Sequence, residues 1–509
     1  MISFIVGVVA LILGYVCYGK ITEKIFGIQP ERPTPAVAIN DGVDFVGMSW
    51  QKCLLIQFLN IAGTGPIFGA IAGAMFGPAA FAWIVFGCIF AGAVHDFTVG
   101  MLSVRNNGAS ISEIVGKYLG KTPLYIMRVF SVVLLIFVGA VFVTTPAQVI
   151  NTLVRMQNPA ANVYTICIIV IVAYYILATI LPIDKLIGRV YPIFGAALII
   201  MGIGLCITMF TTGQMKQIPE FAFTNLNPAR AGGSIMSHIF PFLFISIACG
   251  AISGFHATQS PLIARCVKTE GEGRLVFYGA MILEGIIAMI WAAVALGHWN
   301  GIGNAADGTG LAGAMKNLGG AAGIVTTSST DLMGWVGGIL AVVGVVACPI
   351  TSGDTAFRSA RLTIADAMKF DQKPLKNRFV IAIPLFAVGI ALVLFAVKSA
   401  ANFNILWRYF SWSNQTLATI ALWAVSAYLA KTGKAYVLTL FPAVFMTAVV
   451  TSYFFTAGEC LGPLMTKLVG GNVDVTYTIG IVIGLVLAIV LCALFVPLIG
   501  IKQKNTLKA

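Results

Sequence analysis

Apolar residues run in blocks of about twenty along this chain, separated by short polar stretches that hold most of its charge. Roughly twenty apolar residues cross the hydrocarbon core of a bilayer as a helix. Thirteen such blocks stand at about 2–20, 48–73, 79–103, 125–154, 162–181, 188–210, 236–264, 275–298, 333–356, 379–397, 404–430, 435–456 and 474–499. Each predicts a transmembrane helix, since backbone N–H and C=O groups in hydrocarbon must be satisfied within the segment. The first block has no basic residue before it and no small-residue cleavage site after it, and reads as a retained helix with its N-terminus outside.

Two blocks contradict their own helical pattern. "GTGPIFG" (Gly63 to Gly69) places two glycines and a proline mid-span, and "SGFHATQSP" (Ser253 to Pro261) places a polar cluster there. Gly65 before Pro66 and Ser260 before Pro261 each read as a cap followed by proline at the first helical position. Each break then ends one half-helix and starts another near the bilayer centre. The new N–H groups suit a carboxylate and the freed carbonyls suit a cation. A packing notch, with small residues admitting a neighbouring helix, is the plainer alternative.

Counted from the breaks, spans 2–6 and 7–11 form two sets of five, and an odd number of crossings turns the second set upside down. This is the layout of secondary transporters built from inverted repeats, with ligands held at the midplane between discontinuous helices. The expected organisation is a peripheral helix at 1–28, a proline-rich cytoplasmic loop at 29–47, repeats at 48–212 and 236–430, and two further helices with a tail at 435–509. Two long outer loops fall at 211–235 and 299–332, and the second is either a lid or slack.

Charge fixes the orientation. Of 31 basic residues, only Arg155, Lys216, Arg230, Lys316, Lys398, Arg408 and Lys467 fall on one face of this map, leaving 24 on the other. By the positive-inside rule the N-terminus is outside and the C-terminus cytoplasmic. The net charge of +13 is therefore mostly topological, with some attraction to anionic lipid, and gives no argument for nucleic acid. The ten cysteines form no CxxC pair and the four histidines no zinc-spaced cluster, so neither a disulfide framework nor a metalloenzyme is indicated. A channel would need pore rings of one residue type, an enzyme a nucleophile and base pair, and neither stands out. No cofactor is expected.

"IAGTGPIFGAIAGAMFGPAAFAWIVFG", "AGAVHDF", "SGFHATQSP", "TSGDTAFRSARLTIAD" and "WRYFSWSNQTLA", spread from residue 61 to 418, resemble the carbon starvation protein A family of membrane transporters, in its shorter branch. The resemblance implies an all-α polytopic protein of the bacterial inner membrane with a LeuT-like, amino acid/polyamine/organocation-type fold. It also implies nutrient import during carbon starvation, of short peptides or, in some members, of pyruvate with protons. Many longer members carry two adjacent histidines where this chain has Ile56 and Gln57, so any coupling role of those histidines does not carry over.

Polar residues inside the spans are the expected site, because ionisable groups at this depth are costly. Solute contacts are expected from Gly63, Thr64, Gly65, His256, Thr258, Gln259, Gln148, Asn414 and Gln415, and coupling or gating from Glu284, His95 and Asp96. Ala62, Thr351, Ser352 and Asp354 offer the oxygen ligands of a small hard cation such as Na⁺, although Asp354 also has the spacing of a helical ion pair with Arg358. Arg408, on the sparsely basic outer side, is placed to guide an anion. The leading reading is proton-coupled import of a peptide or pyruvate; sodium-coupled symport of an amino acid or small carboxylate, and an ion channel, remain the alternatives.

Overall fold

The computed structural model describes residues 1–42, 45–180, 184–220, 238–370, 372 and 374–506. The expected outer loop 211–235 lies outside the described residues from 221 onward, as do Arg230, Lys373 and Lys508. Within them the chain is helical throughout, with one isolated bridge between Met48 and Val267.

The first half comprises α1 (Ile2–Phe26), α2 (Trp50–Ile61), α3 (Thr64–Ala74), α4 (Ala79–Arg105), α5 (Ile111–Leu119), α6 (Lys121–Gln157), α7 (Tyr164–Ile180) and α8 (Asp184–Thr211). Then come α9 (Phe242–Ser246), α10 (Gly254–Ala264), α11 (Glu270–Gly297), α12 (Gly310–Asn317), α13 (Ala321–Leu340), α14 (Ala347–Met368), α15 (Leu375–Ala396) and α16 (Ala400–Lys431). They are followed by α17 (Val437–Thr456), α18 (Gly462–Leu468) and α19 (Val473–Thr506).

Among the described residues nine helices are long and apolar enough to cross a membrane, and the pair α2 and α3, bent by 48°, makes a tenth. The thirteen expected spans exceed these at three places, each with a physical reason. α7 is short, α9 and α10 are separated by a break, and α16 dilutes its apolar surface with Arg408, Asn414 and Gln415.

Burial sorts the helices into centre and rim. The most apolar stretches of α11 and α4 are 89% and 83% buried, against 28% for α1 and 22% for α19. So α4, α11, the broken helices and α16 form the centre, while α1 and α19 show apolar side chains such as Val6, Leu13, Ile489 and Leu494 to lipid. Gly92 sets one of the close central approaches: a Cβ there would lie 2.2 Å from Ala251 O, so only glycine lets α4 touch the second break.

Local signals explain several ends. Ser110 and Glu113 form a reciprocal capping box that starts α5, and Gly120, at φ +97°, turns the chain into α6. The loop 299–332, expected outside, is packed: it holds α12 and the first turns of α13, which kinks at Gly334 (φ +62°), and it buries Leu311, Ile324 and Val325. Trp299 Nε1 donates to Ser328 Oγ (3.1 Å) to fasten it.

At the opposite end of α4, Arg105 gathers four segments. It donates to both carboxylate oxygens of the fully buried Glu270 (2.9 and 2.7 Å), to Gly27 O (2.7 Å) and to Tyr428 Oη (2.9 Å). Glu270 also accepts from Gln29 N–H (2.7 Å), and Lys434 donates to Phe26 O. Burial, reinforced by the neighbouring Arg105 charge, holds the Lys434 ammonium below the usual lysine range. Removing one partner of a buried pair strands the other charge and costs about 3–5 kcal/mol. Glu270→Ala is therefore expected to lower the melting temperature of the purified protein sharply, and Lys24→Ala, at an exposed position in the last turn of α1, hardly at all.

Candidate functional site

The first break falls at Ala62 and Gly63, and α3 restarts at Thr64 with no side-chain cap on its free N–H groups. The proline-based boundary is thus two residues late, and Pro66 occupies the first turn, where no N–H is needed. The second boundary needs a larger correction. The helix is interrupted at 247–253, and Pro261 lies inside α10, as its eighth residue, rather than opening it. A proline inside a helix removes one backbone bond, here to Ala257 O, without ending the helix. What interrupts the chain upstream is Gly250 at φ +84°, where a Cβ would sit 2.6 Å from that of Ala288.

Irregular backbone at this depth needs partners, and neighbouring helices supply them. Gln415 Nε2 donates to Phe244 O (2.5 Å) and Ile247 O (3.2 Å), and Asn414 Nδ2 to Ala248 O (2.8 Å). Asn414 Oδ1 accepts from Phe255 N–H (2.7 Å) and Ser253 Oγ (3.2 Å). From α11, Glu284 Oε1 accepts the Gly250 N–H (3.0 Å). The amides of Asn414 and Gln415, expected to contact solute, are engaged with the break's own backbone.

Behind this break runs a chain of ionisable groups. His95 Nδ1 lies 2.8 Å from Asp96 Oδ1, Asp96 Oδ2 lies 2.8 Å from His256 Nδ1, and His256 Nε2 lies 3.3 Å from Glu284 Oε2. All four side chains are fully buried. A carboxylate only accepts, so both Nδ1 atoms carry the hydrogen that Asp96 receives. Cys249 Sγ lies within 4.8 Å of the facing His256 and Glu284 atoms. His256 was expected among the solute contacts and is held here between two acids; His95, Asp96 and Glu284, expected separately as coupling or gating groups, meet in one row. Gly92, one turn before His95, brings α4 close enough for it.

The two breaks touch. A Cβ on Gly65 would be 2.5 Å from Cys249 Sγ, and one on Gly63 would be 3.3 Å from the Phe142 ring. Thr64 Oγ1 accepts from Thr145 Oγ1 (3.5 Å), and Gln57 Nε2 donates to Ser260 Oγ (3.3 Å), joining α2 to α10. Cys249, Thr145 and Gln57 were not singled out as site residues by sequence; Cys249 carried a faint signal, lying four residues before Ser253 in a glycine-flanked run.

The remaining candidates scatter. Thr258 bonds to Phe255 O and receives Gln259 Nε2, while Gln259 Oε1 is buried without a partner. Gln148 is half-buried near the end of α6, 3.4 Å from Tyr164 Oη. Of the cation set, Ser352 Oγ donates to Asn60 O (3.4 Å), beside the buried Ala62, but Thr351 bonds to Cys348 O and Asp354 pairs with Arg358 at 3.4 Å. Arg408 pairs with Glu459 (3.3 Å) and lines a cavity of about 130 Å³ with Met75, Ser246, Asn404 and Tyr453, at the ends of α3 and α9.

Comparison with known proteins gives this geometry a setting. The profile of carbon starvation protein CstA matches residues 1–172, 161–302 and 299–453. An uncharacterized membrane protein of Haemophilus influenzae is 45% identical over 59% of this chain and 91% of its own length. The peptide transporter CstA of Campylobacter jejuni is 26% identical over 85% of this chain and 77% of its own. The pyruvate/proton symporter BtsT of Escherichia coli is 28% identical over 53% and 45%. A mutant of the Eremococcus coleocola manganese transporter shares the fold alone, with TM-score 0.51 at 11% identity over 89% and 98% of the two chains. A multi-pass helical membrane protein with two broken helices and these relatives is a membrane transporter and not an enzyme, and the chain belongs to the carbon starvation protein CstA family.

Proposed function

We propose that the chain imports a small carboxylate solute, pyruvate or a short peptide, across the bacterial inner membrane by proton-driven symport during carbon starvation. The observation that carries this is the contact of the two breaks, with the uncapped start of α3 meeting Cys249 at Gly65 and a buried ionisable chain directly behind. Helix-end attraction is worth about 0.3–2 kcal/mol, too little for capture alone. The Thr64 and Thr145 hydroxyls supply the hydrogen bonds that add to it once Gly65 and Cys249 part. The relatives named as a peptide transporter and a pyruvate/proton symporter support both solute and ion. Calorimetry on purified protein should show heat with pyruvate or alanyl-alanine and none with the C-terminal amide of alanyl-alanine. Equal binding of acid and amide would remove the carboxylate from the proposal.

The topology belongs to the same proposal: α2 to α8 and α9 to α16 are read as inverted repeats, N-terminus outside, on the strength of the 24-to-7 charge split. Ala306 and Ala367 are exposed, and this map puts Ala306→Cys outside and Ala367→Cys inside. An impermeant thiol reagent on intact cells is expected to label the first and spare the second, and the reverse pattern would invert the map. Ser352 beside Asn60 O favours sodium as a second reading; uptake that follows a sodium gradient with the proton gradient collapsed would put that reading in place of protons.

A further inference from the structure

We infer that the coupled proton is the one shared by His256 Nε2 and Glu284 Oε2, and that its release loosens the second break. The inference rests on the proton-driven reading above. Because His256 Nδ1–H is committed to Asp96, Nε2 is a donor only in the imidazolium form. The 3.3 Å approach to Glu284 Oε2 therefore needs one proton between the two atoms, on the ring or on the carboxyl. The contact is not aligned as a hydrogen bond, so the proton sits on one of the two atoms at a time, and Cys249 Sγ, within 4.8 Å of both, is the neighbouring group that competes for it.

Loss of that proton leaves a nitrogen lone pair facing a carboxylate. It also leaves two acids, Asp96 and Glu284, charged at full burial with no cation between them. Charges so placed are costly until water reaches them, so release is tied to opening of the site. The same Glu284 carboxylate holds the Gly250 N–H at 3.0 Å, and Gly250 is confined by its left-handed conformation and by Ala288. A push between His256 and Glu284 thus acts on the 247–253 break at two points, through α10 at its end and through Gly250 at its middle. The other titratable groups around the pair are Asp96 and His95 on α4, Cys249 in the break, and Cys88 on α4, whose Sγ donates to Met281 O (3.3 Å).

Glu284→Gln mimics the protonated acid: its amide donates to His256 Nε2 and its oxygen still receives Gly250 N–H. His256→Asn removes the other half of the pair. In liposomes, wild type should show solute counterflow, gradient-driven accumulation and solute-induced proton entry. Both variants should keep counterflow while accumulation and proton entry fall to background. Accumulation driven by the proton gradient in either variant overturns the inference. Counterflow lost in both, with wild type intact, overturns it too, by assigning the pair to solute binding or to the fold. A wild type whose accumulation ignores the proton gradient instead rejects the proton-driven reading on which the inference stands.

Discussion

Asp96→Asn is expected to bring uptake to background in cells and in liposomes. Asp96 is the acceptor for two imidazoles, one per carboxylate oxygen, at 2.8 Å each. An asparagine has the same shape but one acceptor, so either His95 or His256 must face an N–H₂ group. If His256 loses, its Nδ1 hydrogen has no acceptor, its ring is free to change tautomer, and Nε2 no longer presents a defined proton state to Glu284. Removing one partner from a buried hydrogen-bonded charge pair costs about 3–5 kcal/mol, part of which the ring recovers by becoming neutral. The variant should therefore run as a single species on size exclusion with a lower melting temperature and show no accumulation. Uptake near the wild-type level would mean that Asp96 only fills space, and the row of ionisable groups would lose its link to transport.

How much of this was readable from the sequence differs by residue. The break at Gly63 was legible to within two residues, since glycines and proline inside an apolar run have few other uses. The second break was not, because Ser260 and Pro261 look locally like a helix start whether the proline opens the helix or sits within it. The deciding feature was Gly250, whose left-handed backbone has no mark in the sequence beyond being one glycine among many. His95 and Asp96 were legible by depth alone as polar residues buried inside a span.

Their partners were not legible, because His256 is 160 positions from Asp96 and no local periodicity carries a contact of that range. Asn414 and Gln415 show the general difficulty most sharply. From sequence, two amides side by side in a span invite a ligand. In three dimensions the first ligand of those amides is the protein's own interrupted backbone.

That assignment makes Asn414→Leu the second large effect. Leucine has a similar volume and suits the apolar surroundings, so packing is nearly preserved. The substitution leaves Phe255 N–H, in the first turn of α10, and Ala248 C=O, in the break, without the side chain that serves them, both at buried residues. Each stranded group costs about 1–3 kcal/mol, on the order of 2–6 kcal/mol together, which is a large share of the 5–15 kcal/mol typical of a folded protein. A steep fall in melting temperature and in the yield of monodisperse protein is expected, with transport lost in what remains. Gln148→Leu provides the contrast, because Gln148 is half-buried and makes one long contact, 3.4 Å to Tyr164 Oη. That variant should melt close to wild type, whereas a solute contact at Gln148 would weaken solute binding in calorimetry with the melting temperature unchanged. If Asn414→Leu instead melts like wild type and loses only solute binding, the amide serves the solute after all, and the break must be held by Gln415 and Glu284 alone.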